Sequence, residues 1–271
     1  MGRPYRGRET LREEPKPGAA GVGLRAEAHG PIFAITLARP PVNVLDLATL
    51  RALTSLVDHA ATRPELRVVL LRSALDGVFS AGMDVADHAP ARAPEMLETV
   101  HGLLVALDAL PQSTVAVVDG RCRGGAVELL LVCDAVYATS RSDFAFPEID
   151  VGCFPPAAVA LLPSRVGKAA AEIILAGVTL SAAEAERLGL LTRVVEEPEA
   201  AAREFAQRVA SKSAAVVALA RRALREAGGL DLAKRLHRAE SIYREDLLRT
   251  EDASEGVSAF LERRKPSWKH R

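Results

Sequence analysis

Two carboxylates in apolar surroundings, Glu128 and Glu148, constrain the fold of this chain more than any other feature of it. Val115, Ala116, Val117 and Val118 read as a short buried strand and Asp119-Gly120 as a turn. The glycine pair Gly124-Gly125 then opens an apolar helix that carries Glu128 in its first turn. An unpaired carboxylate amid Val127, Leu129, Leu130 and Leu131 is destabilising by several kcal/mol unless it is paired, hydrogen-bonded or kept neutral. The fold must supply one of these conditions, and function is one reason to keep such a group. Glu148, twenty positions on and next to Pro147, reads on its own as a helix-cap or turn carboxylate.

The glycine pair has a physical reading of its own. Without side chains, backbone N–H groups at a helix start approach a ligand closely and turn their partial positive charge toward an oxygen, as an oxyanion hole requires. A second glycine turn, Phe79-Ser80-Ala81-Gly82-Met83-Asp84, follows the apolar run Val68, Val69, Leu70, Leu71 and is placed to supply a second donor. Neither turn is specific alone. A glycine turn after a strand is more often a chain reversal than a binding site, and neither matches GxGxxG or the phosphate-loop pattern.

Periodicity gives mixed α/β structure. Residues 32–37 and 67–72 read as strands, separated by a helix over 47–61 with Leu50, Leu53, Val57 and Ala60 on one face. A second amphipathic helix spans 94–109, with Met96, Val100, Leu103 and Leu107 inward, and Pro111 ends it. Beyond Val195 no strand is expected. Helices are expected over 198–212, 214–227 and 230–249, with a short last one near 254–264.

Composition excludes several classes. Lys+Arg and Asp+Glu number 35 each, so no excess of positive charge favours a nucleic-acid partner. With 49% hydrophobic residues in 271, the chain buries a large core, yet no apolar run approaches a membrane span. A soluble protein with no membrane partner is expected. Cys122, Cys133 and Cys153 lack CxxC spacing and read as reduced thiols of a cytoplasmic protein. The six histidines are dispersed, and no metal site is expected. The first residues mix arginines with Glu9, Glu13, Glu14, Pro15 and Pro17, without an apolar segment, and read as a disordered or loosely packed extension over 1–22.

Taken together, these segments resemble the enoyl-CoA hydratase/isomerase (crotonase) superfamily from about Phe33 to the C-terminus. The resemblance is carried by Phe79-Ser80-Ala81-Gly82-Met83-Asp84, Asp119-Gly120, Gly124-Gly125-Ala126-Val127-Glu128, Cys133-Asp134, Phe144 and Pro147-Glu148-Ile149. It continues through Gly177, Ser181-Ala182-Ala183-Glu184-Ala185, Gly189-Leu190 and Phe260-Leu261-Glu262-Arg263-Arg264-Lys265-Pro266. It implies an α/β fold, a crotonase-type ββα superhelix over 23–197, with a C-terminal helical trimerisation region over 198–271. It also implies a homotrimer or dimer of trimers, and an acyl-CoA substrate that carries its own CoA, with no separate cofactor.

The roles implied by the resemblance fall on particular residues. The backbone N–H groups of Met83 and Gly125 bind the thioester oxygen, Glu128 activates water, and Glu148 transfers a proton to the α-carbon. The reverse labelling of the two acids is also open, because a coupled pair titrates as a unit. Ala81, Asp84, Arg123, Gly124, Phe154 and Pro156 are implied substrate contacts, with Phe260 and Arg263 touching CoA from a neighbouring subunit. Gly152-Cys153-Phe154-Pro155-Pro156, after Pro147-Glu148-Ile149-Asp150-Val151, is similar to the branch that hydrates cyclic dienoyl-CoA esters, in particular cyclohexa-1,5-diene-1-carbonyl-CoA.

Arg123 stands where a small or aliphatic residue is usual, and it has two readings. One is an ion pair with an acid such as Asp150, and the other is recognition of a carboxylate or hydroxyl on the acyl group. The implied activity is hydration of an enoyl-CoA. Two alternatives stand beside it: a double-bond isomerase using one working carboxylate, and a CoA-binding scaffold without a reaction. Buried carboxylates count against the scaffold, which apolar residues would stabilise better.

Overall fold

The computed structural model describes residues 22–227 and 232–268. The extension expected over 1–22 lies outside the described residues except for Val22, which sits in a turn. In chain order, β1 (Leu24–His29) and β2 (Ile32–Leu37) form an antiparallel pair, and α1 (Leu47–Ala61) leads to β3 (Val68–Ser73) and the short β4 (Val78–Ser80). The step recurs from α2 (Ala93–Ala109) to β5 (Ser113–Val118) and β6 (Arg121–Arg123). It recurs again from α3 (Gly125–Leu131) to β7 (Ala135–Ala138) and β8 (Asp143–Ala145). Then come α4 (Pro156–Val166), α5 (Ala169–Leu175), β9 (Leu180–Ser181), α6 (Ala182–Arg187) and β10 (Arg193–Val194). The helices α7 (Pro198–Ala210), α8 (Ala214–Ala227), α9 (Leu232–Glu245) and α10 (Glu251–Leu261) close the chain.

Each rung of this spiral gives a long strand to one sheet and a short strand to another. The sheet orders are β1-β2-β3-β5-β7-β10 and β4-β6-β8-β9, and pairing is parallel except at β1 and β9. This is the expected ββα superhelix. The central strands are apolar on both faces because both are covered. Phe33, Ile35, Val69 and Leu71 face the main core, while Ile32, Ala34, Val68, Leu70, Val115 and Val117 pack under Ala202, Phe205, Ala206 and Val209 of α7.

Local signals set the element ends. Asp46 caps α1 by accepting from Thr49 N at 2.8 Å, and Leu50, Leu53, Val57 and Ala60 are buried as expected. The helix expected over 94–109 begins one residue earlier, at Ala93, and ends with Leu110 as its C-cap before Pro111. The helix expected over 230–249 ends sooner, at Glu245, followed by a 3₁₀ turn at Leu247–Arg249. The last helix starts three residues before the expected 254. Thr250 caps it by accepting from Ala253 N at 3.1 Å, and Glu251 and Asp252 suit its first turn. Among the described residues no helix is long and apolar enough to cross a membrane.

Candidate active site

The turn after β4 is fixed by residues buried beneath it. Asn43, 1% exposed, donates from its side-chain amide to Phe79 O and Ser73 Oγ, each at 2.9 Å. The Ser80 hydroxyl donates to Asn43 O at 2.6 Å and accepts from Gly82 N at 3.0 Å. Sequence reasoning missed Asn43, since nothing local marks a lone Asn as the clamp between two loops. Leu45 and Met83 then form a parallel bridge. Its bonds, Leu45 N to Gly82 O at 2.9 Å and Asp84 N to Leu45 O at 3.2 Å, use the residues flanking Met83. The N–H of Met83 stays out of that ladder.

Gly125 is the first residue of α3, so its N–H has no acceptor within the helix. Gly124 before it takes φ +53°, which glycine adopts readily, and donates to Ala145 O at 2.8 Å. Close approach explains the pair. A Cβ on Gly124 would lie 2.4 Å from Glu148 Oε1, and a Cβ on Gly125 would lie 2.3 Å from Met83 Cε. The glycines thus bring Glu148 and the Met83 turn against the start of α3.

Glu128, 3% exposed, points from α3 to the N-terminal end of α4, where Oε1 accepts from Ala158 N at 2.9 Å and Ala157 N contributes a second bond. The α4 N-cap is Pro155, which offers no side-chain cap. Glu128 takes that place from another helix. Burial pushes its carboxyl up to about 7, against the lowering effect of the two α4 N–H groups. Glu148 lies on a 3₁₀ turn, Pro147–Val151, and is 9% exposed. Its Oε2 is buried without a hydrogen-bond partner. Burial first, and then the charge of Glu128, push Glu148 up to about 8. Two coupled carboxyls in unequal settings favour one ionised and one protonated, with Glu128 the better-supported anion.

The remaining expected site residues divide. Ala81 is exposed on the turn beside Met83, and Asp84 caps the following 3₁₀ turn by accepting from Ala86 N at 3.0 Å. Pro156 is buried at the start of α4, and Phe154 is half-buried before it. Phe260, 53% exposed, lies in the last turn of α10, and Arg263, also exposed, in the turn after it. The pairing of Arg123 with Asp150 is not what forms. Arg123 on β6 makes an ion pair with Asp143 on neighbouring β8 and donates to Asp143 O at 3.0 Å and Cys122 O at 3.1 Å. The register puts Asp143 diagonally across the strand pair, whereas Asp150 sits beside Gly177. With its guanidinium engaged there, Arg123 is a strand-to-strand tie.

Tyr243 of α9 is wholly buried, with its ring edge-on to Phe154 at a centroid distance of 5.1 Å. Sequence reasoning missed it, because one aromatic in a long polar helix reads as ordinary packing. Cys122, Cys133 and Cys153 are free thiols whose pKa values burial raises, which keeps them protonated. Among the described residues no three His, Cys, Asp or Glu side chains are grouped to hold a metal.

Comparison with known proteins gives a consistent relationship. The family model "Enoyl-CoA hydratase/isomerase" matches residues 27–271. The chain is 37% identical to the cyclohexa-1,5-dienecarbonyl-CoA hydratase of Thauera aromatica over 247 residues, covering 90% of this chain and 95% of that one. It is 32% identical to the carnitinyl-CoA dehydratase of Salmonella typhi over 257 residues, 92% and 98% of the two chains. A solved enoyl-CoA hydratase from Mycobacterium avium subsp. paratuberculosis K-10 superposes with a TM-score of 0.80 at 30% identity, over 91% of this chain and 98% of that one.

Proposed function

Because this chain belongs to the enoyl-CoA hydratase/isomerase family, we propose that it adds water across the α,β double bond of an acyl-CoA thioester. It is an enzyme of the hydro-lyase type. One observation carries the finer reading: two buried carboxyls of unequal setting, Glu148 against Gly124 and Glu128 on α3, accompany a Met83 N–H outside the bridge ladder and a Gly125 N–H at the helix start. In the reading this supports, those N–H groups hold the thioester oxygen as negative charge builds on it, each lowering the barrier by about 3 kcal/mol. Ionised Glu128 takes a proton from water as the water oxygen bonds to the β-carbon. Protonated Glu148 delivers its proton to the α-carbon. One proton shift between the carboxyls restores the starting state.

The stiff Phe154-Pro155-Pro156 segment and the Thauera relative favour a cyclic dienoyl-CoA as the acyl group. Phe260 and Arg263 contact the CoA of an adjacent subunit in this reading, within a homotrimer or a dimer of trimers in the cytoplasm, with no cofactor beyond the substrate's CoA. Ala81, Asp84, Gly124, Phe154 and Pro156 line the acyl ester. In this reading residues 23–197 make up the spiral, and the described helices from α7 onward fold with it because α7 completes the sheet core.

The test is turnover of linear and cyclic enoyl-CoA esters, followed by loss of the conjugated-thioester absorbance. Glu128→Gln and Glu148→Gln should each reduce kcat at least about 100-fold with ester affinity largely kept. Full activity in either variant defeats the two-acid mechanism. Loss in Glu148→Gln alone, with proton exchange at the α- or γ-carbon persisting in Glu128→Gln, identifies an isomerase instead.

A further inference from the structure

Two buried side-chain oxygens of this region, Glu148 Oε2 and the hydroxyl of Tyr243, have no hydrogen-bond partner. Tyr243 is delivered by α9, which crosses α4 and α2. One turn earlier on α9, Glu240 is held by His101 Nδ1 of α2 at 3.1 Å and by Arg244 at 3.1 Å, so the helix that carries Tyr243 is pinned in register. The ring packs against Phe154, and its residue is 0% exposed. Burial first, then the Cys153 thiol, a weak polar neighbour within reach of the hydroxyl, and then the acid pair push the phenol pKa up. The phenol therefore stays neutral, a hydrogen-bond donor and acceptor and not a proton source. A buried hydroxyl without a partner is destabilising, and native folds seldom keep one without a use.

We propose that the Tyr243 hydroxyl is a third polar group of the acid pair's pocket, which hydrogen-bonds the incoming water and then the β-hydroxyl that this water becomes. On this proposal the substrate-derived oxygen serves Glu148 Oε2 and the Tyr243 hydroxyl together, and an acyl group without that oxygen leaves both unpaired. Tyr243 is therefore a specificity-determining residue for esters oxygenated at the β-carbon. This inference rests on the hydratase reading.

Tyr243→Phe keeps the ring and removes only the hydroxyl. Binding is compared for β-hydroxybutyryl-CoA against butyryl-CoA and for β-hydroxycyclohexanecarbonyl-CoA against cyclohexanecarbonyl-CoA, by calorimetry. The hydroxylated member of a pair should bind the variant about 10-fold more weakly or worse, and the unhydroxylated member should bind it unchanged. In hydration kcat should fall with KM for the enoyl ester nearly constant, since that ester lacks the oxygen. The thermal midpoint should hold or rise, because an orphaned hydroxyl has been removed. Equal changes within each pair, no change at all, or a lowered midpoint with intact discrimination would overturn the proposal. If the wild-type protein hydrates no enoyl-CoA, the hydratase reading fails by itself, and the paired binding still reports on Tyr243 alone.

Discussion

At the residue scale, the two buried acids make stability depend on pH. In the unfolded chain a glutamate carboxyl ionises near 4.5; folded, Glu128 and Glu148 ionise at about 7 and about 8. Between those limits the folded protein holds protons that the unfolded chain has released. Their contribution to stability is complete below about pH 4.5 and is lost as pH rises through 8, at up to about 1.4 kcal/mol per pH unit for each group. Denaturant midpoints should fall between pH 5 and pH 9 in the wild type and fall less in Glu148→Gln, which cannot ionise. Parallel pH curves for the two proteins would remove Glu148 from this account. The acids and the glycine turns were legible because burying a charge beside a glycine pair leaves few options. The partner of Arg123 and the role of Tyr243 were not, since one depends on strand register and the other on a helix crossing far along the chain.

At the scale of elements, α8 shows how a buried charge can organise a helix end. Arg221, 4% exposed, pairs through Nε with Asp134 Oδ2 at 2.6 Å and donates to Asp108 O at 2.6 Å, Leu107 O at 3.1 Å and Leu110 O. These are carbonyls at the C-terminus of α2, which lack acceptor duty within the helix and favour a cation. Removing one side of such a buried pair is strongly destabilising, so Arg221→Leu should lower unfolding free energy by about 3–5 kcal/mol. Arg221→Lys should recover only part of it, because one ammonium cannot reach four acceptors in a fork. A loss under about 1 kcal/mol would make the pair incidental. Asp134 stood in the sequence as half of the Cys133-Asp134 marker, without a partner. Its arginine lies 87 residues away, beyond any local pattern. The strands at 32–37 and the helix at 47–61 were legible to the residue because periodicity and caps are local. α4 to α6 were not foreseen: α5 and α6 are short, and α4 opens after Pro155 on Pro156 and carries Pro163 inside it.

At the scale of the whole molecule, α8 has two faces with different destinations. Arg221 and Arg225 face the core, while Val216, Leu219 and Leu224 are 63%, 56% and 78% exposed on the opposite side with Ala220 and Ala223 between them. An apolar stripe of this kind is the surface that the proposed trimer would cover. Leu219→Glu should shift light-scattering mass from a trimer or hexamer toward monomer while circular dichroism stays native. An unchanged mass would put the assembly surface elsewhere. α10 buries Ala253, Gly256, Val257 and Ala259 within its own chain, which leaves Phe260 and Arg263 outward. Arg263→Ala with Phe260→Ser should therefore weaken CoA-ester binding about 10-fold at constant fold and mass, the scale of one lost charge-assisted contact with its packing. Normal affinity in that double variant would leave the pair no ligand. The spiral as a whole was legible only through the order of its motifs. Composition and periodicity gave mixed α/β structure and went no further.

Glu128 has a second employer: the bond from Ala158 N makes it the missing cap of α4. A descendant of this protein that gave up hydration would still need an oxygen at that spot, so drift would preserve the residue after its chemistry had lapsed. Glu148 caps no helix from its Oε2, which has no partner. On the proposed mechanism, the glutamate at 128 is then a weak witness to a working copy of this design and the one at 148 a stronger one.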